Sequence, residues 1–373
     1  MMFRTPVRPL TDLYIGLMSG TSLDGIDAAL VDFGSGSPQL VAAHFEPMPD
    51  TLRADLLALQ QPGENELHRA SLAANALALA YARAVEELLA HSSGKRRAVA
   101  AIGCHGQTIR HQPDSGYTVQ IGNAALLAEL TAIPVVSDFR SRDVAAGGQG
   151  APLVPAFHSG LFRDAQMHRV VVNIGGIANL TDLPPGDGTV TGFDSGPGNV
   201  LLDGWIARHR HAQYDANGDW AASGQVNQAL LDRLLSEPYF NAPPPKSTGR
   251  DLFHLAWLDQ QLSGLALPPE DIQATLLELT ARSIAHATFQ HCHAAEEVYL
   301  CGGGARNGAL VQRLQALLAP LPVASTEALG LHPDWVEACA FAWLARQRLH
   351  HLPGNLPAVT GAKGECVLGA VHA

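Results

Sequence analysis

Charged side chains are scarce in this 373-residue chain, at 16% of its residues, and basic ones are fewer than acidic ones. The 24 Lys and Arg against 35 Asp and Glu give a formal net charge of −11. A chain this acidic is a poor general ligand for nucleic acid or for an anionic membrane surface. We therefore expect neither as a partner, and an anionic ligand would have to be held by local donors.

Long apolar runs are missing as well, since none approaches the roughly 18 residues of a membrane-spanning helix. The apolar run at 13–18 contains Tyr14 and Gly16, which suits a strand better than the core of a secretory leader. The five cysteines are odd in number and scattered, which indicates free thiols in a reducing compartment. These features predict a cytoplasmic protein.

Apolar residues and glycine are abundant, at 47% of the chain and 36 positions. The length is comfortable for two domains with sizeable cores. Helices are clearest at 70–89 and 271–291, and short apolar strands alternate with them, which predicts an α/β fold. Strands are predicted at 13–18, 26–33, 98–103, 134–137, 170–174, 189–193, 298–301 and 322–325.

Two similar hairpins lie far apart in the chain, one with a turn at 19–25 and one with a turn around Gly175-Gly176. Gly, Ser and Asp between apolar runs are typical of hairpin turns. The pair suggests two related domains, and two unrelated hairpins remain the alternative. The glycine-rich stretch at 145–152 is a candidate crossing point between the domains.

The first turn has the chemistry of a metal–nucleotide site. Glycines such as Gly20 let main-chain N–H groups approach phosphate oxygens, and the hydroxyls of Thr21 and Ser22 add donors. Asp24 and Asp27 could hold Mg²⁺ or its waters. An ordinary hairpin turn is the alternative, since the turn matches neither a Walker A loop nor a dinucleotide-binding fingerprint.

Asp194 is the candidate general base. It is predicted to close a strand before a turn and a helix, at the edge where α/β sheets bind ligands. A cap on that turn is the alternative role. A second glycine run, at 302–304, follows a predicted strand and leaves room for a flat ring or a phosphate.

Side chains that suit sugar hydroxyls, amides and carboxylates concentrate in the first half of the chain. Taken singly, each could be an ordinary surface group, and their concentration favours a sugar pocket. These candidates are His105, Gln107, Thr108, Gln120, Asn123, Arg140 and Arg142.

Nine ordered motifs resemble the anhydro-N-acetylmuramic acid kinase family over nearly the whole chain. They are MSGTSLDGID (18–27), HGQTIRH (105–111), QIGN (120–123), DFR (138–140), RDVAAGGQGAPLVP (142–155), NIGG (173–176), GFDSGPGN (192–199), PKSTGR (245–250) and CGGG (301–304).

The resemblance implies two RNase H-like domains of the actin-like ATPase fold, around a central cleft that holds ATP and Mg²⁺. The domains would be residues 1–145 with about 351–373, and residues 146–350. The implied reaction opens the 1,6-anhydro ring of 1,6-anhydro-N-acetylmuramic acid with water and phosphorylates O6, with Asp194 as base. The implied cofactor-binding residues are Gly20, Thr21, Ser22, Leu23, Asp24, Gly25, Ile26, Asp27, Asn173, Gly175, Gly176, Gly302, Gly303 and Gly304, with Asp24 and Asp27 toward the metal.

Two other functions stay open at this point. One is a kinase for another anhydrosugar such as levoglucosan, and the other is a non-catalytic ATP-binding sensor on the same scaffold. The oligomeric state is open too, with a homodimer as one option.

Overall fold

The structure is a computed structural model that describes residues 12–373 except 21, 36–37, 91, 93–97 and 251. The chain divides into two compact units, Met1–Phe157 with Glu337–Ala373, and His158–Val336. Each division falls in or at the start of a helix. The sequence-based boundaries, after 145 and after 350, differ from this division and stay a prediction.

Thirteen strands are formed by the described residues. They are β1 Leu13–Met18, β2 Gly25–Asp32, β3 Gln39–Pro47, β4 Val99–Cys104, β5 Gln107–Gln112, β6 Tyr117–Ile121, β7 Val135–Ser137, β8 Arg169–Ile174, β9 Ile177–Leu183, β10 Thr191–Pro197, β11 Glu297–Cys301, β12 Val323–Ser325 and β13 Ala370–His372.

Thirteen α-helices accompany them in the same residues: α1 Asp50–Leu59, α2 Glu66–Ala90, α3 Ala124–Thr131, α4 Ser141–Ala145, α5 Val154–Phe162, α6 Val200–Arg210, α7 Asp219–Ser223, α8 Gln228–Leu235, α9 Leu255–Gln261, α10 Pro269–His291, α11 Gly308–Leu318, α12 Val336–Leu349 and α13 Pro357–Thr360. Short 3₁₀ turns lie at Pro113–Ser115, Ala216–Gly218, Pro238–Asn241, Gly303–Arg306, Thr326–Leu329 and Pro333–Trp335.

The two units contain sheets of the same design. In the first, β1, β2 and β3 form an antiparallel meander, while β4 runs parallel to β1 and β7 parallel to β4. In the second, β8, β9 and β10 form the meander, while β11 runs parallel to β8 and β12 parallel to β11. The strand orders β3-β2-β1-β4-β7 and β10-β9-β8-β11-β12 therefore correspond, and β13 extends the first sheet. The prediction of two related α/β domains is confirmed.

One long helix packs on each sheet. In the first unit, α2 buries Leu77, Tyr81, Ala84 and Leu88, a repeat of three and four residues that matches one helix face. In the second unit, α10 begins at Pro269 with acidic residues in its first turn and is buried along most of its length. The strands and helices are thus held by ordinary apolar burial, which leaves the turns to carry chemistry.

Close packing of α12 against the first sheet depends on two strand glycines. A side-chain carbon at Gly16 of β1 would overlap the main-chain oxygen of Ala338, and one at Gly103 of β4 would overlap that of Phe341. These glycines are required because no other residue lets a helix backbone approach a strand so closely.

Candidate active site

Hydrogen bonds from buried polar side chains support the β1–β2 turn. Ser19 is fully buried, and its hydroxyl donates to Oε1 of Gln107 at 2.8 Å. The Tyr81 hydroxyl lies 2.8 Å from Oγ of Ser19. The Gln107 amide in turn donates to the carbonyl of Gly20 at 3.2 Å. Gln107, a candidate sugar ligand in the sequence, therefore supports the turn from β5.

The turn alternates between anchored and exposed residues. Leu23 and Ile26 are fully buried, so they can offer a ligand only their main chain. Asp24 is exposed, and its Oδ1 accepts from the Ser22 hydroxyl at 2.5 Å and from the main-chain N–H of Gly25 at 3.1 Å. This Asp-centred turn orients one carboxylate outward.

The candidate metal ligands are consistent with Mg²⁺ and not with a cage of protein ligands. Asp24 is exposed and Asp27 half-buried on β2, while Thr21 lies outside the described residues. Within the described part of the chain, no group of three or more His, Cys, Asp or Glu could hold a metal ion. Mg²⁺ commonly takes one or two carboxylates and completes its shell with phosphates and water, so the two aspartates fit it.

The corresponding turn of the second unit joins β8 to β9 at Gly175 and Gly176. The Gly176 carbonyl accepts from the main-chain N–H groups of Gly198 and Val200 at 2.9 and 3.0 Å. The Gly175 carbonyl accepts from the N–H of Asn199 at 2.8 Å. The segment that opens α6 is therefore bonded directly to this turn.

The predicted cofactor-binding glycines fall into two groups. A side-chain carbon at Gly20, Gly175 or Gly303 would meet nothing closer than 3.5 Å. Gly302 has φ +78°, and both it and Gly304 press against the end of β8, where a side-chain carbon would overlap. A ligand could therefore approach the main chain at Gly20, Gly175 and Gly303. At Gly302 and Gly304, close packing against β8 is enough to explain why glycine is present.

A row of polar side chains crosses three adjacent strands of the second unit. Asn173 of β8 pairs with Asn179 of β9, and Asn179 pairs with Asp194 of β10. The side-chain oxygens of both asparagines are buried and have no hydrogen-bond partner among the described residues. Buried polar atoms usually have partners, so an exception marks a place where a ligand or water can bind.

Asp194 does not end its strand as the sequence predicted. Strand β10 runs on to Pro197, because a register shift between Asp194 and Gly196 lets it keep pairing with β9. Gly196 has φ +153°, a conformation that glycine adopts readily. Asp194 therefore lies at a bulge within an edge strand, a type of irregularity that often re-aims side chains next to active sites.

The 3₁₀ turn at Pro238–Asn241 and the segment after it hold Asp194 in place. Oδ2 of Asp194 accepts from the main-chain N–H of Thr248 at 3.0 Å, and the Asp194 N–H donates to the Lys246 carbonyl at 3.2 Å. The Tyr239 hydroxyl donates to the Asp194 carbonyl at 2.8 Å. Asp194 is 9% exposed, so it combines a fixed orientation with limited access.

In the first unit, the buried His105 pairs with the half-buried Arg140. Nε2 of His105 accepts from the Arg140 guanidinium at 3.0 Å, and Arg140 also donates to the Gly150 carbonyl at 2.8 Å. Burial, and then the charge of Arg140, lower the pKa of His105 to about 3. His105 is therefore neutral at physiological pH, with Nε2 as its acceptor.

The remaining sugar-binding candidates differ in their surroundings. The Gln120 amide donates to the hydroxyls of Thr118 at 2.7 Å and Thr108 at 3.3 Å. Asn123 caps α3, since its Oδ1 accepts from a main-chain N–H of the first turn at 3.0 Å. Arg142 is exposed.

Several residues around Asp194 and the first turn were not predicted from the sequence as site residues. Thr248 acts through its main chain, which no residue-type argument can find, and Tyr239 lies in no motif. Lys246 belongs to the PKSTGR motif, which was the available signal for it. Ser19 was a visible part of the first turn, but its burial depends on contacts with β5 and α2.

Taken together, two sheets of the same strand order, each with a glycine turn after its first strand, define the two RNase H-like halves of an actin-like ATPase fold. A solved structure shares this fold: component A of (R)-2-hydroxyglutaryl-CoA dehydratase from Acidaminococcus fermentans, with a TM-score of 0.50 and 14% identity, covers 91% of this chain and 100% of that one.

The family follows from closer comparisons. The family model for anhydro-N-acetylmuramic acid kinase matches residues 12–373. The protein of that name from Thiobacillus denitrificans (strain ATCC 25259 / T1) is 58% identical over 362 residues, which cover 96% of each chain. That of Cupriavidus pinatubonensis (strain JMP 134 / LMG 1197) is 57% identical over 98% of this chain and 100% of its own. The chain belongs to the anhydro-N-acetylmuramic acid kinase family.

The described residues contain no helix with both the length and the apolar character to cross a membrane. All five cysteines are buried and free, as the sequence predicted.

Proposed function

We propose that this protein uses ATP to open and phosphorylate 1,6-anhydro-N-acetylmuramic acid, giving N-acetylmuramic acid 6-phosphate and ADP in peptidoglycan recycling. The observation that carries the proposal is the fixed carboxylate of Asp194 in a chain of this family. The relatives at 53–58% identity all have the same kinase name, which favours neither another anhydrosugar nor a sensor.

The first chemical requirement is a base for water. An anhydro bridge ties up O6, so no free hydroxyl exists there for a kinase to deprotonate. Asp194 would take a proton from a water that attacks C1, and the C1–O6 bond would break with its electron pair going to O6. A carboxylate of fixed orientation and limited access suits this role, because a base must lie within hydrogen-bond reach of the proton it removes.

The second requirement is a cradle for ATP. The open glycines Gly20, Gly175 and Gly303 would let main-chain N–H groups approach the nucleotide, and Ser22 would add a hydroxyl. Asp24 and Asp27 would hold Mg²⁺, which when bound neutralises charge on the phosphates. The liberated O6 would then accept the γ-phosphoryl group.

The third requirement is a cation for the lactyl carboxylate of the sugar, since the protein as a whole is acidic. Arg140 is engaged by His105 and the Gly150 carbonyl. We therefore assign the lactyl carboxylate to Arg142, which is exposed, and give Arg140 the role of fixing His105. A cytoplasmic location and a homodimer stay predictions that accompany this function.

A coupled ADP-release assay with a panel of anhydrosugars tests the proposal. We expect turnover with 1,6-anhydro-N-acetylmuramic acid and much less with levoglucosan, which lacks the N-acetyl and lactyl groups. ADP release that is equal for both sugars, or that does not depend on any sugar, would contradict it.

A further inference from the structure

Lys246 lies beside the candidate base but plays no part in the mechanism above. Its ammonium donates to the carbonyls of Tyr239 and Phe240 at 3.1 and 3.3 Å. The nitrogen also lies 4.8 Å from the centre of the Tyr239 ring and 5.9 Å from that of Phe193. The charge is thus fixed by two carbonyls and two aromatic rings, an arrangement that a mobile surface lysine does not have.

The same residues connect Lys246 to Asp194. Asp194 donates its N–H to the Lys246 carbonyl, and Tyr239, whose carbonyl binds the ammonium, donates its hydroxyl to the Asp194 carbonyl. Phe193, beneath the ammonium, is the residue before Asp194. These hydrogen bonds join Lys246, Tyr239 and Asp194 in a closed ring. A movement of Lys246 would therefore disturb the main chain at Asp194.

Two titratable groups that interact with Lys246 lie on β10 and at the end of α10. Asp194 on β10 interacts electrostatically with Lys246. His291, at the end of α10, packs on Phe193, and its pKa is lowered by burial and then by the charges of Lys246, His286 and His293. His291 is therefore largely neutral at neutral pH, which leaves the Lys246 ammonium as a cation acting on Asp194.

We propose that Lys246 is a positioning residue for the water-activating step, whose ammonium places a fixed positive charge beside Asp194 and whose main chain fixes Asp194 on β10. This inference rests on the proposed function, because it assumes that Asp194 acts as the base. A nearby cation favours the charged form of a carboxyl group, and a base must be charged to accept a proton.

Lys246→Met keeps an unbranched side chain that ends one atom earlier, and it removes the charge. We expect the acidic limb of the pH profile of kcat/KM to move to higher pH by about one to three units, because Asp194 loses the cation that favours its ionised form. The KM for the sugar should change little. A purely structural role would lower the melting temperature and leave the limb where it is, which would overturn the inference.

Lys246→Arg keeps the positive charge and tests the alkaline limb of the pH profile. It also serves as the test if the Met variant folds poorly. Burial lowers the pKa of the Lys246 ammonium, and the charge of Asp194 opposes that shift. A guanidinium stays charged over the whole range, so the acidic limb should stay and the alkaline limb should move to higher pH. An unmoved alkaline limb would count against the inference. His291→Gln is the matched control and should move neither limb by as much as Lys246→Met.

A double-mutant cycle separates this inference from the function on which it rests. In an Asp194→Asn background, Lys246→Met should change residual turnover by less than about twofold, because the group that it serves is gone. The same loss in both backgrounds would mean that Lys246 acts independently of Asp194. No turnover by the wild-type protein would instead contradict the proposed function and remove the basis of the inference.

Discussion

Thr248 donates its main-chain N–H to Oδ2 of Asp194 at 3.0 Å, across 54 positions of the chain. This bond fixes the direction of a carboxylate that the sequence shows only as one acidic residue among glycines. A base held in this way loses little orientational freedom when water binds, which is the condition for effective proton transfer.

Asp194→Asn tests the role of this carboxylate most directly. The amide keeps the shape and can still accept from Thr248, but it has no basicity. Turnover should fall by roughly 10²- to 10⁴-fold or more, while sugar binding, measured by calorimetry, should survive. Near-normal turnover would mean that Asp194 caps a turn and that the base lies elsewhere.

The fate of the attacking water can be followed independently in the wild-type protein. In ¹⁸O-labelled water the label should appear at the anomeric oxygen of the product and not in the phosphate. Label in the phosphate would mean that water attacks phosphorus and that C1 is not hydrolysed. Asp259→Asn, which changes an exposed ion pair with Arg208, is the control variant and should leave both rate and labelling unchanged.

Two neighbouring glycines give a matched test of nucleotide binding. A methyl group at Gly303 would lie 3.9 Å from its nearest neighbour, whereas one at Gly304 would overlap the side chain of Ile174. Gly303→Ala should raise the KM for ATP roughly tenfold or more and leave the melting temperature almost unchanged. Gly304→Ala should destabilise the protein by about 1–3 kcal/mol. The assignment is wrong if Gly303→Ala binds ATP normally.

The fold could be predicted from the sequence because its signals are local and repeated. Apolar runs bounded by glycine marked the first hairpin of each meander, whereas β3 at Gln39–Pro47 was not predicted. The 271–291 helix pattern corresponds to α10 at Pro269–His291. The end of β10 could not be predicted in this way. The bulge after Asp194 depends on pairing with β9, and a stretch rich in Gly and Pro looks like a turn when read alone.

The candidate site was predictable only where residue type carries the chemistry. Asp24 could be recognised as a possible metal ligand in a glycine turn, and its exposure fits that role. Gln107 could not be recognised as a brace, because its partners Ser19 and Gly20 lie far away in sequence. A hydrogen bond between distant residues leaves no periodic pattern in the sequence.

Asp24→Asn tests the metal assignment. The amide oxygen can still accept from Ser22 and Gly25, so the turn and the melting temperature should be preserved. Loss of the negative charge should raise the Mg²⁺ concentration for half-maximal turnover by roughly tenfold, since Mg²⁺ prefers carboxylate oxygens. Asp114→Asn, a control at another exposed site, should leave this Mg²⁺ concentration unchanged. Superimposable Mg²⁺ titrations would contradict the assignment.

Replacing Arg142 should weaken sugar binding, whereas replacing Arg140 should lower stability. Arg142→Ala removes an exposed cation, so the KM for the sugar should rise roughly 10- to 100-fold with little change in the melting temperature. Arg140→Ala leaves His105 and the Gly150 carbonyl without a donor and should cost about 1–3 kcal/mol of stability. An unchanged sugar KM in Arg142→Ala would remove it from the binding site.

Stability should fall in mild acid because of a buried histidine in the second unit. His158 is fully buried beside the Thr181 hydroxyl, and burial lowers its pKa to about 3. The unfolded chain binds a proton near pH 6.5 and the folded chain does not until about pH 3, so stability is lost as the pH falls between these values. The loss is about 1.4 kcal/mol per pH unit for this residue.

His158→Gln should therefore show a smaller drop in unfolding free energy between pH 7 and pH 5 than the wild type. His211→Gln, a control at an exposed site, should show the same drop as the wild type. Equal slopes for the wild type and His158→Gln would mean that other groups control the acid sensitivity.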